Sequence, residues 1–98
     1  MIRIILPLPL CNLAGLQREV ELDGEQLASI SSVLDMLESR YPALCGTLRD
    51  QVTRQRRPFI RFFAMGEDLS MQSMTDPLPD EVLSGKAPLR VVGAMAGG

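Results

Sequence analysis

The sequence predicts an α+β fold in which one mixed sheet packs against one main helix, and three features support this prediction. Two strand patterns come first and are separated by a short loop, which favours an antiparallel hairpin. An apolar stripe at helical spacing follows, and a single sheet face is needed to cover it. Two further strand patterns come last, and the final one lies close to the C-terminus. This order of elements is typical of a β-grasp.

The first hairpin is predicted from residues 2–6 and 16–22. The first segment reads Ile-Arg-Ile-Ile-Leu and is rich in β-branched residues. Two prolines interrupt the apolar run that follows, so they argue against a helical signal peptide, and residues 11–15 are predicted as a turn or loop. In the second segment apolar and polar residues alternate, with Arg18 as the exception on the inner face.

The main helix is predicted between residues 30 and 44. Ser32 followed by Asp35 resembles a capping box, which would place the start of the helix near Ser32. Pro42 is expected to end or kink the helix. Its apolar stripe consists of Ile30, Val33, Leu34, Leu37, Tyr41 and Leu44.

The remaining strands are predicted at residues 59–65 and 89–92. On the first of them Ile60, Phe62 and Ala64 share one side. Proline and glycine are frequent between residues 71 and 88, so this section is predicted as turns with one short helical piece at 79–84.

Length and composition exclude several classes of protein. Ninety-eight residues fit one domain, and a net charge of −2 argues against a general nucleic-acid binder. No apolar run approaches the roughly 20 residues that a membrane-spanning helix needs. Histidine is absent, and Cys11 and Cys45 are widely separated, so neither a metal site nor a cofactor is expected. We predict reduced, unpaired thiols in a cytoplasmic protein.

Two charged stretches are predicted to be mainly solvated. Five arginines lie between residues 49 and 61, where a solvated loop is favoured over a site for an acidic partner or a phosphate. Six acidic residues are scattered between residues 19 and 38, and they are not clustered as metal ligands would be.

The chain ends in the sequence Val-Val-Gly-Ala-Met-Ala-Gly-Gly, which offers almost nothing to pack. We therefore predict a domain of residues 1–92 and a flexible tail of residues 93–98. A terminus without Cβ atoms can enter a narrow channel, and its carboxylate must be activated before a nucleophile can attack it. The alternative is that the terminus is simply disordered and has no function. The tail residues of interest are Gly93, Met95, Ala96, Gly97 and Gly98.

Four segments together resemble the MoaD/ThiS family of ubiquitin-like sulfur carriers, in particular the small subunit of molybdopterin synthase. The resemblance covers nearly the whole chain. It rests on IRIILP at residues 2–7, SSVLDMLESRYPAL at 31–44, FIRFFAMGEDL at 59–69 and the terminal AMAGG. The turn Met65-Gly66-Glu67 stands where the family commonly has Asn-Gly-Glu.

The resemblance implies a carrier protein that is itself no enzyme. An adenylating enzyme similar to the ubiquitin E1 proteins would activate the Gly98 carboxylate, and a sulfur donor would convert it to a thiocarboxylate. A partner synthase would then accept the sulfur, most often for molybdenum cofactor synthesis. Cysteine or thiamine synthesis and ubiquitin-like protein modification remain alternatives. The candidates for an apolar docking face are Phe59, Phe63, Leu89 and Val91.

Overall fold

A computed structural model describes residues 1–93 and shows one five-stranded mixed sheet. The strand order is β2-β1-β5-β3-β4. β1 pairs antiparallel with β2 and parallel with β5, and β5 pairs antiparallel with β3. The predicted hairpin and the predicted β-grasp are thereby confirmed. The strands are β1 (Ile2–Ile5), β2 (Glu19–Leu22), β3 (Ile60–Ala64), β4 (Glu67–Asp68) and β5 (Leu89–Gly93).

The main helix α2 (Ile30–Arg40) covers the inner face of this sheet. Alternation along the strands turns every second residue toward the helix, and those residues are buried. The helix contributes Ile30, Val33, Leu34 and Leu37 to the same core. The predicted stripe is therefore the packing face of the helix, and Pro42 ends it by opening the short 3₁₀ turn Pro42–Leu44.

The predicted capping residue was wrong by one turn. Ser29 caps α2: its backbone is extended, and its side chain accepts a hydrogen bond from the backbone N–H of Ser32 at 3.2 Å. The Ser32 hydroxyl accepts in return from the backbone N–H of Ser29 at 2.9 Å. A serine can replace the usual Glu in this reciprocal pair because it lies at the third helical position. Asp35 has a different role, described below.

A short helix, α1 (Leu8–Ala14), occupies the segment whose residues 11–15 were predicted as a turn or loop. Pro9 lies in its first turn, where a backbone N–H has no acceptor within the helix, so its ring costs no hydrogen bond. Gly15 ends the helix in the left-handed conformation at φ 69°. The two prolines therefore precede and open a helix, and Leu10 and Cys11 bury its inner side. The remaining helix, α3 (Asp80–Leu83), is the predicted short piece.

The β3–β4 hairpin turns through Met65 and Gly66, which both have positive φ, at 52° and 79°. Two successive positive values are the requirement of a type I′ turn, for which Asn-Gly is the favoured pair. Methionine has no side-chain group that compensates for its Cβ in this conformation.

Met65→Asn is therefore expected to raise the free energy of unfolding by about 0.5–1 kcal/mol. The left-handed conformation costs less free energy for asparagine than for methionine. Little packing is lost in exchange, because Met65 is 51% exposed. Urea denaturation measures the change. Met65→Ala is the matched control and should show no gain, because alanine carries the same steric penalty. Equal stability of the two variants would contradict the explanation.

The prediction that both charged stretches are mainly solvated was wrong at Arg49 and its acidic partners. Arg49 is only 1% exposed. Its Nε and Nη2 atoms donate to the two carboxylate oxygens of Glu38 at 3.0 and 2.9 Å, and Nη2 also reaches Asp35. Arg54 donates to the same Asp35 oxygen at 2.8 Å. Burial by itself would lower the pKa of Arg49, but the hydrogen bonds that its guanidinium donates to Glu38 and Asp35 hold that pKa above its usual value. These charges form an ion-pair network between α2 and the following loop.

Two aspartates order exposed turns and have lowered pKa values. Asp50 accepts hydrogen bonds from the backbone N–H groups of Val52 and Thr53, each at 2.8 Å, and these bonds lower its pKa. The pKa of Asp68 is lowered chiefly by Ser70, whose backbone N–H donates to it at 2.8 Å.

The double variant Asp50→Asn/Asp68→Asn is expected to flatten the acid limb of the stability curve. A carboxyl group with a lowered pKa in the folded state stabilises the protein above its unfolded pKa of about 3.9. That contribution is lost as the pH falls from about 5 toward the folded pKa. Asparagine keeps an acceptor oxygen but does not titrate. Urea unfolding across this range should show a shallower slope for the variant, and equal slopes would contradict the expectation.

Candidate functional site at the base of the C-terminal tail

The structure describes one of the five predicted tail residues. Gly93 is the last residue of β5, and it pairs with Ile60 of β3. Met95, Ala96, Gly97 and Gly98 lie outside the described residues. Their role, and the division of the chain into a domain and a flexible tail, therefore stay predictions.

The strand that leads to the tail is the central strand of the sheet. β5 pairs with β1 through Leu89 and Arg90, and with β3 along four consecutive residues. Leu89 and Val91 are buried in the core, at 0% and 3% exposure. The prediction that these two residues form a docking face was wrong, because strand alternation turns them toward α2. They instead fix the position from which the tail leaves.

The outer face of the sheet carries the apolar residues that a partner can reach. Val92 is 41% exposed on β5, and Phe63 is half-buried on the neighbouring β3. Phe59 precedes β3 and is 61% exposed. Of the four residues predicted for docking, the two phenylalanines are therefore accessible and the two β5 residues are not.

An open depression lies beside Gly93, between β5 and the beginning of α1, and we call it the tail-root groove. Its volume is about 360 Å³. The first turn of α1 forms one wall, which is why sequence reasoning missed it: this segment was not expected to be helical. Apart from Gly93, its lining residues include Ile5, Leu8, Pro9, Arg18, Arg90 and Val92.

Two arginines give this groove its charge. Arg18 donates from Nε to the carbonyl oxygen of Leu6 at 2.9 Å, and the backbone N–H of Leu6 donates to the Arg18 carbonyl at 2.9 Å. This reciprocal pair holds Arg18 beside the last residues of β1. Arg90 points outward from β5. Within residues 1–93, neither guanidinium has a carboxylate at ion-pair distance, and no acidic side chain lines the groove.

Neither cysteine has the surroundings of a catalytic nucleophile. Cys11 is buried, and its thiol lies 3.5 Å from the Gln17 carbonyl oxygen. Cys45 is half-buried, with its sulfur 3.8 Å from the Glu38 carbonyl oxygen. Both thiols are unpaired, as predicted. Across the described range 1–93, no group of His, Cys, Asp and Glu side chains is arranged to hold a metal ion.

The helices between residues 1 and 93 include none with the length and apolar character required to cross a membrane.

Comparison with known proteins gives matches at the level of structure. No protein-family model matches the sequence, and no curated protein matches it. The crystal structure of the Amycolatopsis orientalis BexX/CysO complex contains a chain that superposes on this one with a TM-score of 0.76 at 22% identity. The superposition covers 100% of both chains. SAMP1 from Haloferax volcanii superposes with a TM-score of 0.73 at 22% identity, covering 99% of this chain and 98% of the other. A second structure, of H. volcanii small archaeal modifier protein 1, gives 0.68 at 20% identity over 92% of each chain. These likenesses establish that the chain has the ubiquitin-like β-grasp fold.

Proposed function

We propose that this chain is a sulfur carrier whose C-terminal Gly98 is adenylated, converted to a thiocarboxylate and used by a partner synthase. The observation that carries the proposal is the placement of Gly93. The central strand, which is paired on both sides and buries Leu89 and Val91, ends there, five residues before Gly98. Five residues in extended conformation span at most about 18 Å, so the carboxylate has the reach to enter a partner's active site while the domain stays outside.

The proposed chemistry needs a reactive group on this chain only at its last atom. The Gly98 carboxylate attacks the α-phosphate of ATP, pyrophosphate leaves, and an acyl-adenylate forms. A sulfide-equivalent donor then attacks the acyl carbon and AMP leaves, which gives the thiocarboxylate. The adenylating enzyme and the sulfur donor supply the catalytic groups. This division of labour accounts for a chain without histidine whose described thiols are held in structural surroundings.

We assign the sulfur to molybdopterin synthesis, because the helix and tail resemble the small subunit of that synthase. Cysteine synthesis is the nearest alternative, since the basic loop before β3 is similar to that of carriers serving cysteine synthesis; thiamine synthesis is a further one. Supplying the thiocarboxylate form to the molybdopterin, cysteine and thiazole synthases of the source organism decides among them. Sulfur transfer to one of the other two, and none to molybdopterin synthase, would overturn the assignment.

Protein modification is the second candidate function, and a specific observation favours it. One of the similar structures is that of a small archaeal modifier protein. A modifier would join Gly98 to a lysine of another protein through an isopeptide bond. Lys86 is the only lysine of this chain and it is exposed, so chains of modifiers would be linked through it or through the N-terminus.

Mass spectrometry of the protein isolated from its native cells tests the proposal. A sulfur carrier is expected to show exchange of one oxygen for sulfur at Gly98, and this form should increase when sulfur demand is high. A branched peptide that joins Gly98 to a lysine of another protein would support the modifier instead. Finding neither form under high sulfur demand would overturn both functions.

A further inference from the structure

The tail-root groove offers cationic side chains that have no carboxylate partner within residues 1–93, together with exposed apolar side chains. Arg18 and Arg90 line it without a carboxylate partner within residues 1–93, although the whole chain has a net charge of −2. The other arginines near the sheet are engaged differently: Arg3 pairs with Glu19 at 3.2 Å and Arg61 pairs with Asp68 at 3.2 Å. Two positive charges without a carboxylate partner within residues 1–93 thus lie together beside the strand that leads to the tail.

The apolar walls of the groove are also exposed. Leu8 is 54% exposed and Val92 is 41% exposed, and Pro9, which also lines the groove, is exposed. A surface of this composition matches an element that carries a carboxylate flanked by apolar side chains. Charge complementarity of this kind steers encounter and fixes the orientation of the two proteins.

We propose that the tail-root groove receives an acidic, apolar-flanked element of the adenylating enzyme that charges Gly98, at the mouth of the channel that admits the tail. This inference rests on the proposed function. Its basis is position: Gly93 belongs to the groove wall, so a protein that encloses the tail as far as its root lies beside Arg18 and Arg90. The two arginines then set the orientation in which the tail enters. They are positioning residues and do not touch the reacting carboxylate.

The test is ATP–pyrophosphate exchange by the adenylating enzyme of the source organism, with the full-length chain as substrate and potassium chloride varied. Arg18→Gln/Arg90→Gln is expected to raise KM about tenfold with kcat unchanged, and to weaken the dependence of kcat/KM on salt. The matched control is Arg40→Gln/Lys86→Gln, which replaces two exposed cations outside the groove and brings the net charge from −2 to the same −4. The control should keep its KM within about twofold of the parent. Arg90→Gln alone, which breaks no hydrogen bond within residues 1–93, covers the case in which the Arg18 substitution disturbs the fold.

Each other outcome overturns the proposal in a recognisable way. An unchanged KM, or an equal rise in the control, would show that the groove takes no part in docking. A lower KM for the arginine variant would mean that Arg18 and Arg90 hold the chain's own terminal carboxylate, and that their removal releases it. If the parent chain supports no exchange at all, the proposed function fails and the groove proposal with it. Normal exchange by all variants would contradict the groove proposal alone.

Discussion

Deletion of Gly98 is expected to abolish thiocarboxylate formation and sulfur transfer while the domain stays folded. The deletion moves the terminal carboxylate back by one residue, about 3.5 Å, so the acyl carbon no longer reaches the position where adenylation occurs. It also leaves Gly97 as the only terminal glycine, with Ala96 and its methyl group one residue closer to the reacting end. Misplacement by this distance in an active site costs at least about 100-fold in rate.

The stability of the deleted chain separates a catalytic defect from a folding defect. The deletion removes none of the core residues described within residues 1–93, so we expect the free energy of unfolding to change by less than about 0.5 kcal/mol. Adenylation is measured by pyrophosphate exchange and stability by urea denaturation. Met71→Ala, a change at an 81% exposed position far from the tail in sequence, is the control and should retain full sulfur transfer. Full sulfur transfer by the deleted chain would exclude the carrier function.

Replacement of Arg49 by methionine is expected to lower the free energy of unfolding by about 3–5 kcal/mol. Methionine fills a similar volume but leaves Glu38, whose side chain is only 11% exposed, without its buried partner. Only the exposed Arg54 then remains near the Glu38 carboxylate, with Nη1 3.9 Å away. Loss of the hydrogen-bonded partner is costly because this carboxylate has lost most of its hydration. The loss is large against a typical total stability of about 5–15 kcal/mol for a single domain.

Two companion variants identify the cause of this loss. Arg54→Met removes an arginine that is 55% exposed in the same network, and it should cost less than about 1 kcal/mol. The double variant Arg49→Met/Glu38→Leu removes both buried charges and should recover most of the stability that Arg49→Met alone loses. Equal losses for Arg49→Met and Arg54→Met in denaturant titrations would show that burial of the arginine is not the cause.

The elements with strong periodicity were predictable from sequence because each follows from one repeating pattern. The alternation around Ile60, Phe62 and Ala64 predicted the buried side of β3, and the stripe from Ile30 to Leu37 predicted the buried side of α2. One-sided burial is a property of such patterns whatever covers them. The order of these elements then left few ways of covering one helix with one sheet.

The elements that were missed depend on context that a local pattern does not contain. Two prolines in α1's opening segment read as helix breakers, yet the first turn of a helix tolerates them. Three serines, Ser29, Ser31 and Ser32, lie at the start of α2, and which of them caps it depends on where the backbone leaves the extended conformation. Arg49 looked like one member of a solvated basic loop. Its burial follows from a loop that returns to α2, where Asp35 and Glu38 face it one turn apart.

The candidate site also has one part that was predictable from the sequence and one part that was not. The sequence by itself suggested the chemistry proposed for the terminus, because the Gly-Gly end and three further segments resemble those of the MoaD/ThiS sulfur carriers. It also determined the β-grasp, because hydrophobic periodicity and element order suffice for that fold. Only the tertiary structure decided which side chains surround the base of the tail. Strand alternation buried Leu89 and Val91 and turned Arg90 and Val92 outward, and the hydrogen bonds between Arg18 and the Leu6 backbone placed Arg18 in the same groove. These neighbours are distant in sequence, so only the folded chain brings them together.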